Sequence, residues 1–251
     1  MITGVIFDLG STLIHFEGDW HAVFEESLHA LAHQLEADGL AVEPQAMRAE
    51  FRRQVEASQA LRQQDNIERT STWVLRQVLD ALGAGAPDDG MLDRALRSLF
   101  AASEARWAPM PGLHDVLAAL RAKGYRLGLI SNASDEANVR RLLEQAGLTG
   151  AFQPELISAA VGIRKPDVRL FQQVLAAWGA PPDSVVMVGD TLGEDILGAQ
   201  RAGLRTIWFT ADADTPANRA LAASLRADAA TDDLRQLPEM IRALDGSLPQ
   251  A

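Results

Sequence analysis

Cysteine is absent from the 251 residues and tyrosine occurs once. The first absence rules out disulfides and thiolate metal sites, so an oxidising compartment has nothing to offer this chain. Long apolar runs are missing as well, and no stretch approaches the roughly 20 apolar residues that a membrane span needs. Clusters of basic residues are also missing. With 34 acidic against 23 basic residues the net charge is -11, which repels nucleic-acid backbones and anionic membrane surfaces. Neither is an expected partner. Residue 1 leads straight into a strand-like run, without the charged segment and apolar core of a secretory signal, so a cytoplasmic protein is expected.

What is present is an alternation. Unbroken aliphatic runs recur as GVIFDLG (4 to 10), YRLGLIS (125 to 131), ELISA (155 to 159), SVVMVGD (184 to 190) and RTIWF (205 to 209). They do not alternate apolar with polar residues, which predicts strands buried on both faces, as in a parallel sheet covered by helices. Helical spacing lies between them, for example Phe171, Val174, Leu175 and Trp178 at i, i+3, i+4 and i+7. From about residue 112 onward the pattern is that of an α/β doubly wound parallel sheet. The alanine-rich stretch 210 to 231 reads as a loop with a short helix.

Residues 17 to 108 differ. Four helical faces follow one another there, carried by Trp20 to Leu35, Met47 to Val55, Val74 to Leu82 and Leu92 to Ser103. The expected organisation is an α/β core of 1–15 plus 109–251 with an inserted α-helical bundle at 16–108. Two linkers would join them, and a hinge there would open for substrate and close to exclude water.

In an open parallel sheet ligands bind beyond the carboxyl ends of the strands. Asp8 follows the first run, Ser131 and Asn132 the second, and Asp190 the fourth, with Asp195 five residues further on. Lys165 stands in GIRKPD before a helix. Taken singly, each of these is a turn, cap or loop residue. Together, in this order, they suit one chemistry. Carboxylate oxygens bind a hard cation such as Mg²⁺, while the cation, the ammonium, the hydroxyl and backbone amides hold a phosphoryl group. Asp8 would be the nucleophile.

The four motifs VIFDLGSTL, LGLISNA, GIRKPDVRLF and VVMVGDTLGEDILGAQRAGL resemble, in order, those of the haloacid dehalogenase-like hydrolases, a superfamily with many phosphatases and with helical caps inserted after the first motif. The resemblance implies a Mg²⁺-dependent phosphatase acting on a small phosphorylated metabolite. It makes Asp8 nucleophile and metal ligand, Ser131 and Asn132 phosphate-binding, and Lys165 the cation steadying Asp8 and phosphate. Asp190 and the Gly10 carbonyl become metal ligands, with Thr12 and Asp195 supporting the site from behind. Monomer and dimer are equally compatible.

The chain departs from the family at one position. Its phosphatases usually carry Asp-x-Asp-Gly-Thr, and here the motif reads Asp8-Leu9-Gly10-Ser11-Thr12. Gly10 keeps the carbonyl of the missing aspartate and loses its acid–base side chain, a contribution of roughly 10²- to 10⁴-fold. Water, His15, Glu17 or a cap residue would have to relay the proton. The family's 2-haloacid dehalogenases and phosphonate-cleaving members also lack that aspartate. The former need no cation and differ in the last motif, and the latter need a cap lysine, whereas residues 17 to 108 contain no lysine. Gly10 also admits a non-catalytic member that keeps phosphate and Mg²⁺ binding.

Overall fold

The computed structural model describes residues 1–246. The chain begins with β1 (Gly4–Phe7) and β2 (Ile14–Phe16), then runs through four helices, α1 (Trp20–Ala37), α2 (Pro44–Asp65), α3 (Ser71–Ala81) and α4 (Asp89–Glu104). It returns through β3 (Trp107–Pro109), α5 (Leu113–Ala122), β4 (Arg126–Ser131), α6 (Glu136–Gln145), β5 (Glu155–Ile157), α7 (Ser158–Val161) and α8 (Val168–Trp178). The last part is β6 (Val185–Gly189), α9 (Leu197–Arg201), β7 (Arg205–Phe209), α10 (Pro216–Leu221), β8 (Ala229–Thr231) and α11 (Leu237–Gly246).

Six strands form one parallel sheet in the order β5-β4-β1-β6-β7-β8. Its two faces are both apolar, and alternate residues of one strand serve different cores. Val5 and Phe7 join one cluster with Val186 and Val188, while Ile6 joins another with Val185 and Met187. This is why the strands read as continuous hydrophobic runs. β8 lies within the stretch read as a loop with a short helix; α10 is that helix, and the three residues Ala229–Thr231 add an edge strand.

Helices α1 to α4 pack around their own core, in which Leu28, Leu31, Leu75, Val78, Leu92 and Ala95 are fully buried. Strands β2 and β3, at either end of this segment, pair antiparallel through Ile14 with Pro109 and Phe16 with Trp107. A third tie joins the helical segment to the sheet besides these two linkers. The α2–α3 loop lies against the loop before α8, where Glu68 N–H donates to Gly162 C=O at 3.0 Å and Arg164 N–H to Asn66 C=O at 2.9 Å. Ser71 N–H also donates to Ser134 C=O at 2.7 Å. Any opening about the linkers has to break these contacts.

Candidate active site

β1, β4 and β6 are neighbours in the sheet, so Asp8, Ser131 and Asp190 emerge side by side at their carboxyl ends. The loop before α8 brings in Lys165, whose side chain is 1 % exposed. Its ammonium lies 2.6 Å from Asp8 Oδ1 and 2.6 Å from Asp195 Oδ1, and it donates to Ile130 C=O at 2.7 Å. Burial works to lower its pKa, but the carboxylates of Asp195 and Asp8 outweigh that and hold it above the usual lysine range.

Asp195 reaches this ammonium from the turn after β6, a placement that Gly189 permits. A Cβ on Gly189 would stand 2.4 Å from the Asp195 carboxyl carbon, so a side chain there would expel it. Asp195 Oδ2 accepts from Thr191 N–H at 2.9 Å. Carboxylate oxygens of Asp8, Asp190 and Asp195 all fall within 4.8 Å of one another. The Asp190 carboxyl is pushed up to about 8, first by burial and then by the charges of Asp8 and Asp195. Burial also raises Asp195, against the pull of Lys165. Asp8 and Asp195 thus share one ammonium with the Asp190 carboxyl close beside them, and a hard cation bound among these oxygen donors is the chemistry that would complete their charge balance.

The first motif turns tightly. Ser11 sits at φ 58°, the left-handed region that favours glycine. Gly10 faces the indole of Trp107, which would lie 3.4 Å from a Cβ placed there. Trp107 stacks edge to face with Phe16 at 5.4 Å between centroids, and Phe16 with Trp20 at 4.9 Å. The ground above Gly10 is therefore an aromatic wall. His15 and Glu17 face one another at 3.8 Å and neither lines the cleft above Asp8.

That cleft encloses about 320 Å³ and is lined by Asp8, Gly10, Ser131, Asn132 and Asp190 on the sheet side, with Trp20, Phe100, Ser103 and Trp107 opposite. Ser131 is not used to cap α6, because Asp135 does so through Asn138 N–H at 2.7 Å. Asn132 is engaged by the protein itself. Its Oδ1 accepts from Lys165 N–H at 2.8 Å, and its Nδ2 donates to Lys165 C=O at 3.0 Å and to Glu194 Oε2 at 2.8 Å. Thr12 is fully buried behind the loop, and its Oγ1 has no hydrogen-bond partner.

Sequence reasoning passed over three groups. Asn218 on α10 holds the Asp190 loop, donating to Asp190 C=O at 2.8 Å and accepting from Leu192 N–H at 2.8 Å. Asn138 presents a buried Oδ1 without a hydrogen-bond partner and lines the cleft. Glu68, its carboxyl wholly buried, binds Arg62 at 3.0 Å, Arg164 at 3.3 Å and the Ser158 hydroxyl at 2.7 Å. Arg164 continues to Glu194 at 3.1 Å, and Glu194 to Asn132. A line of charge and amide thus runs from the α2–α3 loop to the backbone of Lys165, and no spacing in the sequence signals it.

The model of the haloacid dehalogenase-like hydrolase family matches residues 2–203. A phosphoserine phosphatase of Thermus thermophilus is 38 % identical over 135 residues, 54 % of this chain and 52 % of that protein. The chain spans about half the length of the first curated relatives it matches. A ribulose-1,5-bisphosphate 5-phosphatase of Halopiger xanaduensis is 27 % identical with 96 % of this chain and 100 % of that protein covered. Among solved structures, a 2-haloacid dehalogenase of Pseudomonas syringae superimposes with a TM-score of 0.67 at 29 % identity, covering 97 % of this chain and 99 % of that one.

Proposed function

The chain belongs to the haloacid dehalogenase-like hydrolases, and within that family we propose that it hydrolyses a small phosphomonoester, with Mg²⁺, through a phosphoryl group carried by Asp8. The observation that carries this reading is the clustering of the Asp8, Asp190 and Asp195 carboxylates, two of them paired with one buried ammonium. The phosphatase names of the curated relatives agree with it. Asp8, Asp190 and the Gly10 carbonyl would hold the cation, which supplies positive charge for the phosphoryl oxygens. A cytoplasmic setting agrees with the lack of cysteine, and among the described residues no helix is long and apolar enough to cross a membrane.

Asp8 Oδ1 is held by Lys165, which leaves Oδ2 to attack phosphorus. A new O–P bond forms there as the ester O–P bond breaks and the alcohol oxygen leaves with the electron pair. Lys165 pairs with Asp8 and offsets the negative charge of the incoming phosphate. The Ser131 hydroxyl donates to a phosphoryl oxygen. Asn132, itself held by Glu194, fixes the Lys165 backbone rather than meets the phosphate. Water then cleaves the acyl phosphate and regenerates Asp8. At Gly10 no side chain protonates the departing oxygen, so alcohols that leave as stable anions are turned over fastest.

Phosphate release from a series of phosphomonoesters, with Mg²⁺ or with chelator, tests the reading beside Asp8→Asn. Release that requires Mg²⁺ and vanishes in the variant is expected. Wild-type protein as inactive as the variant on every ester would overturn it. One second reading has its own support: the aromatic wall over Gly10 and the 29 % identity to a 2-haloacid dehalogenase suit displacement of halide from a haloacid by Asp8. Halide release that survives chelation would select it.

A further inference from the structure

A second cavity, of about 220 Å³, lies inside the bundle of α1 to α4. It shares Trp20, Phe100 and Ser103 with the cleft over Asp8, so the two spaces adjoin. Its other walls include Val23, Phe24, Phe51, Val55, Val74 and Leu99. The polar groups around it are almost all spent within the protein. Ser58 donates to Val55 C=O at 2.7 Å, Ser103 to Phe100 C=O at 2.9 Å, and the hydroxyls of Ser71 and Ser134 share a bond of 2.8 Å. Arg62, the cation on this wall, is ion-paired with Glu68 and donates to Arg69 C=O. Ser27 is the exception. It is buried on α1, lines the cavity, and its hydroxyl meets no hydrogen-bond partner among the described residues.

Such a space discriminates by desolvation. A carboxylate, ammonium or second phosphate entering it would leave water and meet no free counter-charge, a heavy penalty. The polar hollow on the other flank of Lys165 offers no remedy, because Arg164 there is already bound by Glu68 and Glu194. An apolar group is favoured instead, since a dry cavity of roughly 150 Å³ lined by aliphatic side chains already admits a benzene ring.

Resting on the phosphatase reading above, we propose that the alcohol half of the substrate is an uncharged hydrocarbon body the size of a substituted aromatic ring, which passes between Trp20 and Phe100 into the bundle while the phosphoryl group lies at Asp8. Ser27 meets the one polar substituent that such a body carries. The cavity sets the preference, and Asp8 performs the same transfer whatever the alcohol.

The test compares benzylphosphonate with methylphosphonate, two ligands that are not hydrolysed, by calorimetric titration in the presence of Mg²⁺. Benzylphosphonate should bind at least tenfold more tightly. Ser27→Leu and, separately, Val55→Phe fill the cavity and should reduce that advantage to below twofold, while methylphosphonate binding is retained. Equal binding of the two phosphonates by the wild-type protein, or an advantage that survives both fillings, overturns the proposal. The failure of each reading has its own signature. A benzyl advantage lost on filling, with no phosphate released from any ester, leaves the cavity assigned and removes the phosphatase. Phosphate release with no preference for benzyl phosphate over phosphoserine does the reverse.

Discussion

The indole of Trp107 packs directly against position 10, its nearest ring carbon standing 3.4 Å from where a Cβ there would lie. The loss at Gly10 is therefore matched by a bulky neighbour. Gly10→Asp alone should gain little, because its carboxyl would have to share the cleft with the ring that packs there. Gly10→Asp combined with Trp107→Ala should raise kcat on alkyl phosphates by at least tenfold over Gly10→Asp, part of the roughly 10²- to 10⁴-fold that general acid catalysis supplies. Rates across esters of graded leaving-group pKa provide the check, since the double variant should depend on it less steeply than the wild type.

Asp190 links stability to pH. Its folded carboxyl titrates at about 8, above the ordinary 3.8, mainly through burial. The folded state therefore keeps a proton that the unfolded state has lost. In protein without metal this contribution is complete in acid and declines as pH rises, disappearing as pH passes through about 8. On the proposed reading Mg²⁺ would replace that proton, so it should raise the thermal midpoint more at pH 8 than at pH 6. Scanning calorimetry at the two pH values, with Mg²⁺ and with chelator, reads this directly. A metal effect equal at both would contradict it, and Asp190→Asn should flatten both dependences.

Glu68 holds two arginines from a fully buried position. Glu68→Gln leaves Arg62 and Arg164 facing a neutral amide, and losing one member of a buried ion pair costs about 3 kcal/mol. For a chain of this size that corresponds to a fall of roughly 6 to 12 °C in Tm. The expected change is measured by thermal unfolding. A midpoint within a degree of wild type would show that the cluster contributes nothing to docking of the helical segment.

Asn132 spans both backbone polar groups of Lys165. Asn132→Ala leaves them without that partner, at about 2 kcal/mol. Lys165 is then positioned less firmly against Asp8, and kcat should drop by about tenfold, short of the roughly 10²-fold that a 1 Å misplacement can cost. The comparison with Ser131→Ala is informative: loss of the Ser131 hydroxyl should raise the inhibition constant of inorganic phosphate, while Asn132→Ala should act mainly on kcat.

The central strands were legible because they are buried on two faces and read as unbroken aliphatic runs; β1 and β6 lie inside the runs that predicted them. Asp8, Ser131, Lys165 and Asp190 were legible because strand ends and one loop expose them in a fixed order. β2, β3 and β8 were not, being three residues each and carrying no periodicity. The tie between Glu68 and Arg164 was illegible for another reason. Its partners lie 96 residues apart, and in sequence each looks like a solvated surface charge. Trp107 over Gly10 is a similar case, since packing across the β2–β3 ribbon places it there.

Lysine occurs twice in this chain, and the two copies could hardly differ more in reach. Lys123 is exposed, whereas Lys165 is enclosed and kept protonated by Asp195 and Asp8. An amine-reactive acylating reagent therefore modifies the native protein at the first lysine and spares the second. Acylation at Lys165 counts the intervals during which the pocket around it comes apart, and mass spectrometry of the two lysine-containing peptides turns that count into an opening rate with an internal reference.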